Sequence, residues 1–199
     1  MEKDIHKKKV LFLIHTLQIG GAEKVLVDLV NNMDKEKFDI TVMTVIDTGA
    51  FRNELSKDIK YSSIFKNPFK KNKKNNVNAK KTENSKSGNL LNGGNKVKKI
   101  LAKIYSWLWK KVNCEKLYKK YIKEKYDVEI AFLEGISAKI IAASDNEYSE
   151  KICWIHVDLL KERKTEMFFK DVSVEKSTYE KFDKIIAVSK VVKESFIKK

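Results

Sequence analysis

Two histidines and a pair of glycines stand where apolar runs stop, and residues of these types in such places can do chemistry. His15 closes the run Val10–Ile14, and His156 closes the run that ends CWI at Ile155. In an open α/β sheet ligands bind beyond the carboxyl ends of the strands, so a polar side chain emerging there faces the site. The bland alternative for either histidine is a satisfied boundary residue. Gly20-Gly21 opens the helix after the first run. Adjacent glycines let a backbone turn through φ values other residues resist and leave no side chain between loop and ligand. Free N–H groups and the helix dipole then face an anion. The spacing is not GxGxxG, so a dinucleotide is poorly supported, and a ligand-free strand–helix turn stays open.

The elements that position these residues follow from the apolar pattern. Val10–Ile14, Asp39–Ile46, Ile59–Ile64, Asp127–Phe132, Lys151–Ile155 and Asp183–Ser189 read as short buried strands. Helical periodicity fits Gly21–Asn32, Ala50–Lys57, a long stretch within Lys96–Lys125, Ile136–Ala143, Val174–Lys181 and Val191–Ile197. Strands alternating with helices give an α/β fold, a Rossmann-like, doubly wound parallel sheet. The chain's 199 residues suffice for one such domain, 1–199. Cys114 and Cys153 are far apart, without metal-ligand spacing, so neither a zinc site nor a disulfide framework is expected and a reducing cytoplasm fits. The amino-terminal apolar run is too short for a secretory or membrane-spanning segment.

The net charge of +15 is concentrated. Residues 66–125 hold 19 lysines against Glu83, Glu115 and Glu124, a net of +16, while the rest carry 23 basic and 24 acidic residues. Residues 66–96 are Asn/Lys/Ser/Gly-rich and read as a mobile basic loop. Residues 97–125 read as a basic amphipathic helix: Val97, Ile100, Leu101, Ile104, Leu108 and Val112 share one face. Lysines with interfacial aromatics beside such a stripe suit a helix lying on an anionic membrane, through Lys99, Lys103, Trp107, Trp109 and Lys110. The competing reading packs the stripe on the sheet and solvates the lysines. Only Arg52 and Arg163 are arginines and no recognition motif is present, so nucleic acid is not the expected partner.

VLFLIH, GGAE at Gly20–Glu23, YDVEIAFLEG at Tyr126–Gly135, CWIHVDL at Cys153–Leu159 and FDKIIAVSKVVKESF at Phe182–Phe196 occur in this order. Jointly they make the chain resemble the amino-terminal half of the family-four glycosyltransferases of the GT-B fold. The resemblance implies a retaining hexosyltransferase that uses a nucleotide-sugar co-substrate, without cofactor or metal, on a lipid-linked or polysaccharide acceptor of cell-envelope synthesis. It implies His156 as the catalytic residue, contacting the donor sugar and holding charge near the leaving diphosphate. Gly20 and Gly21 would approach phosphate; Glu134 in FLEG and Ser189 in AVSK are weaker carry-overs. The family's donor-binding half, with its Arg/Lys pair and Glu-x7-Glu motif, has no counterpart in these 199 residues. The expectation is therefore an acceptor-side lobe, cytoplasmic and peripheral at the inner membrane face. It would be inactive alone and completed by a carboxy-terminal domain, in cis or as a separate chain. The rival expectation is a non-catalytic Rossmann-like partner or membrane-binding module.

Overall fold

The computed structural model describes residues 7–67 and 95–199, without the side chains of 95–99 and Lys164. The loop expected over 66–96 therefore lies, from 68 to 94, outside the described residues, as does His6. Six strands form one parallel sheet: β1 (Lys8–Ile14), β2 (Phe38–Asp47), β3 (Lys60–Lys66), β4 (Val128–Ala131), β5 (Glu150–Ile155) and β6 (Lys184–Ala187). Their spatial order is β3-β2-β1-β4-β5-β6, so the order reverses between β1 and β4. This is a Rossmann-like, doubly wound α/β fold. Every strand expected from the apolar runs is present, with ends moved by a few residues.

The runs are apolar on consecutive residues because both sheet faces are covered. Val10, Phe12 and Ile14 of β1 join Ile40, Val42, Ile130 and Phe132 beneath Leu26, Val27 and Val30 of helix α1 (Gly21–Asn32). Leu11, Leu13, Met43, Val45, Ala131, Cys153 and Ile155 face the other way. They lie under α3 (Cys114–Tyr121), α4 (Ile136–Ile141), α5 (Val172–Tyr179) and α6 (Lys190–Lys198), with the inner side of α2 (Asn95–Lys111). At roughly 1.5–3 kcal/mol per buried large aliphatic or aromatic side chain, this double layer is the main source of stability.

Two aspartates fix the register from the opposite end. Asp127, just before β4, donates its N–H to the Lys9 carbonyl at 2.9 Å, and its Oδ2 accepts from the Lys9 N–H at 2.7 Å. Asp183, just before β6, repeats the pair on Lys151 at 2.9 and 2.7 Å. The Asp of YDVEI and of FDKII thus closes the ladder where each strand enters the sheet.

Several elements differ from expectation. The helix expected over Ala50–Lys57 is one 3₁₀ turn, Phe51–Glu54, and a second 3₁₀ turn spans Arg163–Met167. The basic helix expected over 97–125 is two helices, because Asn113 caps α3 by accepting the Lys116 N–H at 2.9 Å and ends α2 before it. The glycines requiring left-handed backbone are Gly49 (φ 125°) and Gly135 (φ 80°), whereas Gly20 (φ −165°) is ordinary extended chain. Gly20 therefore adopts a conformation open to any residue, contrary to the expectation for the glycine pair.

Gly49 locks the first rim loop. A Cβ there would overlap the Leu17 carbonyl, whose neighbours already hold the loop through Leu17 N–H to Thr48 O at 2.9 Å and Phe51 N–H to Leu17 O at 3.2 Å. Gly49→Ala meets both a positive φ and a backbone clash. It is expected to lower unfolding free energy by at least about 2 kcal/mol, measured by urea denaturation. A loss below about 0.5 kcal/mol would show that this loop yields easily.

Candidate functional site at the carboxyl rim of the sheet

Because all six strands are parallel, the loops leaving β1, β4, β5 and β6 gather at one end. Gly20-Gly21 and His156 therefore share a rim, with β1 and β5 separated by β4, about 10 Å apart at normal strand spacing.

His15 leaves β1 into an aromatic enclosure. Its ring meets Phe168 edge-on at 5.8 Å between centroids and Trp109 at 6.2 Å. Its Nε2 is buried and has no hydrogen-bond partner in the structure. Burial lowers its pKa below the usual 6.5, which favours the neutral imidazole. His156 leaves β5 stacked on Trp154 (5.9 Å) and tilted against Phe132 (5.3 Å). Its Nε2 is likewise buried and unpartnered. Burial also lowers its pKa, outweighing the opposing pull of the Phe132 carbonyl. Two imidazoles shifted toward the neutral form thus stand on the rim, each with its Nε2 unpartnered in the structure, while His156 also meets the Phe132 carbonyl.

Glu134 braces the exit from β5, its Oε2 accepting the His156 N–H at 2.9 Å. Burial raises its pKa against that hydrogen bond. The next residue, Gly135, turns the chain with its N–H 3.4 Å from the Tyr179 hydroxyl. A Cβ at Gly135 would strike the Phe168 ring, so this glycine seats the aromatic that encloses His15. Ser189 caps α6, its Oγ accepting the Val192 N–H at 3.2 Å, and Asp158 closes a turn by accepting from Leu160 and Lys161. Ser189 is therefore committed to its helix.

The glycine pair divides its roles. A Cβ on Gly21 would meet nothing within 4 Å, so neither backbone nor packing demands glycine there, and the first turn of α1 is left bare. A Cβ on Gly20 would run into the Glu23 carboxylate. Glu23 thus lies where the α1 dipole attracts an anion, and an incoming phosphate meets it first.

Of the residues singled out on the basic segment, Trp109 turns inward. It is 7% exposed and packs on Phe65, Tyr105, His15 and Phe168. It is a wall of the His15 enclosure, which rules it out as an outward contact. Lys103, Trp107 and Lys110 are exposed on α2, and Lys99 lies on the same helix. Two participants escaped the sequence reading. Phe168 follows the 3₁₀ turn Arg163–Met167, and Lys139 on α4 donates to the carbonyls of Trp109 (3.1 Å), Lys110 (3.3 Å) and Phe168 (3.1 Å). Lys139 pins the end of α2 to the rim. No local signal marks either residue.

Among the described residues no group of three or more His, Cys, Asp or Glu side chains could hold a metal ion. No helix among them is long and apolar enough to cross a membrane. In comparisons with protein-family models, curated proteins and solved structures, nothing matches this chain.

The buried histidines give stability a sign with pH. Above the usual 6.5, folded and unfolded imidazoles are both neutral and their contribution is fully present. As pH falls below it, the unfolded chain takes up protons the folded one refuses, and stability is lost until the lowered folded values are passed. Glu134, with its raised pKa, acts oppositely, gaining stability as pH falls toward its usual 4.5. The urea midpoint is expected to drop between about pH 7.5 and about pH 5.5, and His15→Gln should shrink that drop. An unchanged drop in the variant would mean that His15 titrates normally.

Proposed function

We propose that this chain is the acceptor-side lobe of a retaining glycosyltransferase, moving a hexosyl group from a nucleotide-sugar to a lipid-linked or polysaccharide hydroxyl. The observation that carries the reading is the shared rim: the His156 imidazole, its Nε2 unpartnered, stands at the same end of the sheet as the Gly20-Gly21 start of α1. The order of motifs from VLFLIH to FDKIIAVSK supports it, with VLFLIH, YDVEIAFLEG, CWIHVDL and FDKIIAVSK each running from a strand into the loop that leaves it.

In this reading the acceptor hydroxyl lies against the rim, and the His156 Nε2 hydrogen-bonds the donor sugar as its bond to the diphosphate breaks. A neutral imidazole suits that role, because it neither repels the developing oxocarbenium charge nor needs to lose a proton. Glu134 sets the position of His156 through the backbone without touching substrate. Gly21 leaves room for the diphosphate at α1, provided the Glu23 carboxylate swings aside. Neutralising a leaving diphosphate takes cationic donors aimed at it, and His15 and His156 are both held neutral. The reading therefore calls for a second, donor-binding lobe opposite this rim, and gives the chain alone little or no turnover. It places the lobe on the cytoplasmic face of a membrane, where a lipid-linked acceptor presents its head. The second reading, a non-catalytic membrane-binding module, draws on the exposed apolar side chains of α2.

Calorimetric titration of the chain with nucleotide-sugars is expected to give weak or undetectable binding. Supplied in cis or in trans with a family-four donor-binding lobe, it should yield nucleotide-sugar turnover that His156→Ala reduces by about a hundredfold or more. Tight binding by the chain alone, no turnover with the second lobe, or full turnover in folded His156→Ala would each overturn the proposal.

A further inference from the structure

The apolar stripe of α2 faces away from the protein. Ile100 (56% exposed), Leu101 (50%), Ile104 (49%), Trp107 (55%) and Leu108 (52%) recur at helical spacing along one outer face. The periodicity had suggested that this stripe packs on the sheet or meets lipid, and the sheet receives the other side. Tyr105, Trp109 and Val112 point inward, and Ser106 Oγ donates to the Met167 carbonyl at 3.1 Å. With Lys139 holding its last carbonyls, α2 is docked on the body, and the exposed stripe is the outer surface of a packed helix.

We propose that this outer face seats on the surface of an anionic lipid bilayer. Ile100, Leu101, Ile104, Trp107 and Leu108 enter the boundary between headgroups and acyl chains, and Lys103, Lys110 and Lys111 meet the lipid phosphates. Charge complementarity selects the occupant. The sequence of α2, NKVKKILAKIYSWLWKK, holds six lysines and no acid. Two copies packed stripe to stripe would set those lysines against each other. Nucleic acid would satisfy the lysines but strand five large apolar side chains. A bilayer with anionic headgroups satisfies both, and lysine stems snorkel along the apolar face to keep their charge at the phosphates. Lys111 Nζ lies 4.5 Å from the centre of the Trp107 ring, pairing an interfacial aromatic with a headgroup-seeking cation.

Docking in this way has a consequence for the rim. Trp109, on the inner side of the same two turns, touches His15. The lipid surface and the His15 enclosure are thus the two sides of one helix, and the rim lies beside the bilayer. The inference does not depend on glycosyl transfer: vesicle binding can fail while turnover appears, and the reverse.

The test is flotation of the full chain with vesicles of phosphatidylcholine alone or with about 30% phosphatidylglycerol. Binding is expected only with the anionic lipid, and should weaken as salt rises. Trp107 emission should shift to the blue and be quenched by brominated acyl chains, a signal absent in Trp107→Phe. Ile104→Gln with Leu108→Gln keeps every lysine and alters only exposed positions. It should lower vesicle affinity at least about tenfold while circular dichroism stays unchanged. Equal binding to neutral vesicles would overturn the proposal, as would undiminished binding by the folded double variant. So would a dimer in sedimentation equilibrium that the double variant dissolves, or displacement from vesicles by RNA at constant ionic strength. Should the double variant fail to fold, brominated-lipid quenching in the wild-type chain decides the matter alone.

Discussion

A parallel sheet has no solvent-facing side, and most of this molecule follows from that constraint. Each strand needs cover above and below, so every connection but the one from β2 to β3, which has a single 3₁₀ turn, carries an α-helix, and each connection returns the chain to the same starting end. All strand exits thus collect at one rim, with polar residues from distant parts of the sequence set side by side. Asp127 and Asp183 secure the entry end, and Gly49, Gly135 and Lys139 tighten the exit end.

The strands were legible because their burial is two-sided. Val10–Ile14 is apolar without alternation, which no half-exposed strand would be, and Asp39–Ile46 is broken only by Asp39, Thr41 and Thr44, the two threonines being buried; the histidine at a strand's end could be placed on the rim by counting. Helix orientation was less legible. Periodicity finds a stripe but carries no sign, and on α2 the side with two of the three aromatics, Tyr105 and Trp109, won the core. The aliphatic side was left outward. The tryptophans two residues apart, Trp107 and Trp109, look equivalent in sequence and have opposite fates. Phe168, Lys139 and the pose of Glu23 over Gly20 depend on contacts between remote segments, so no window of sequence contains them. The left-handed glycines were invisible for the same reason: Gly49 is forced by the backbone of Leu17 across the rim.

The rim combines apolar walls with polar groups denied partners. The Nε2 atoms of His15 and His156 are both left without the bonds that buried polar atoms normally make. They are not alone among the described residues: Glu129 Oε2, Ser137 Oγ, Asn146 Oδ1, Ser149 Oγ and Glu175 Oε1 are also buried without a partner. Glu129, fully buried in β4, accepts the Tyr118 hydroxyl at 2.6 Å and the Asn146 amide at 3.3 Å, and burial together with that carboxylate pushes the Tyr118 phenol far above its usual range. That network sits beneath α3 and ties it to the sheet. His15 at the first exit is enclosed by the rings of Trp109 and Phe168, whereas His156 has the Phe132 carbonyl beside its own aromatic neighbours.

The two thiols have a practical corollary. Cys114 is buried with its pKa pushed up to about 11, and Cys153 lies fully inside the sheet with its own raised well above the ordinary value, in both cases chiefly by burial. Neither offers an accessible thiolate near neutral pH, so alkylating reagents should pass the native protein by. A single cysteine introduced on the surface would then carry a spin label or fluorophore by itself, with no need to delete the two native ones.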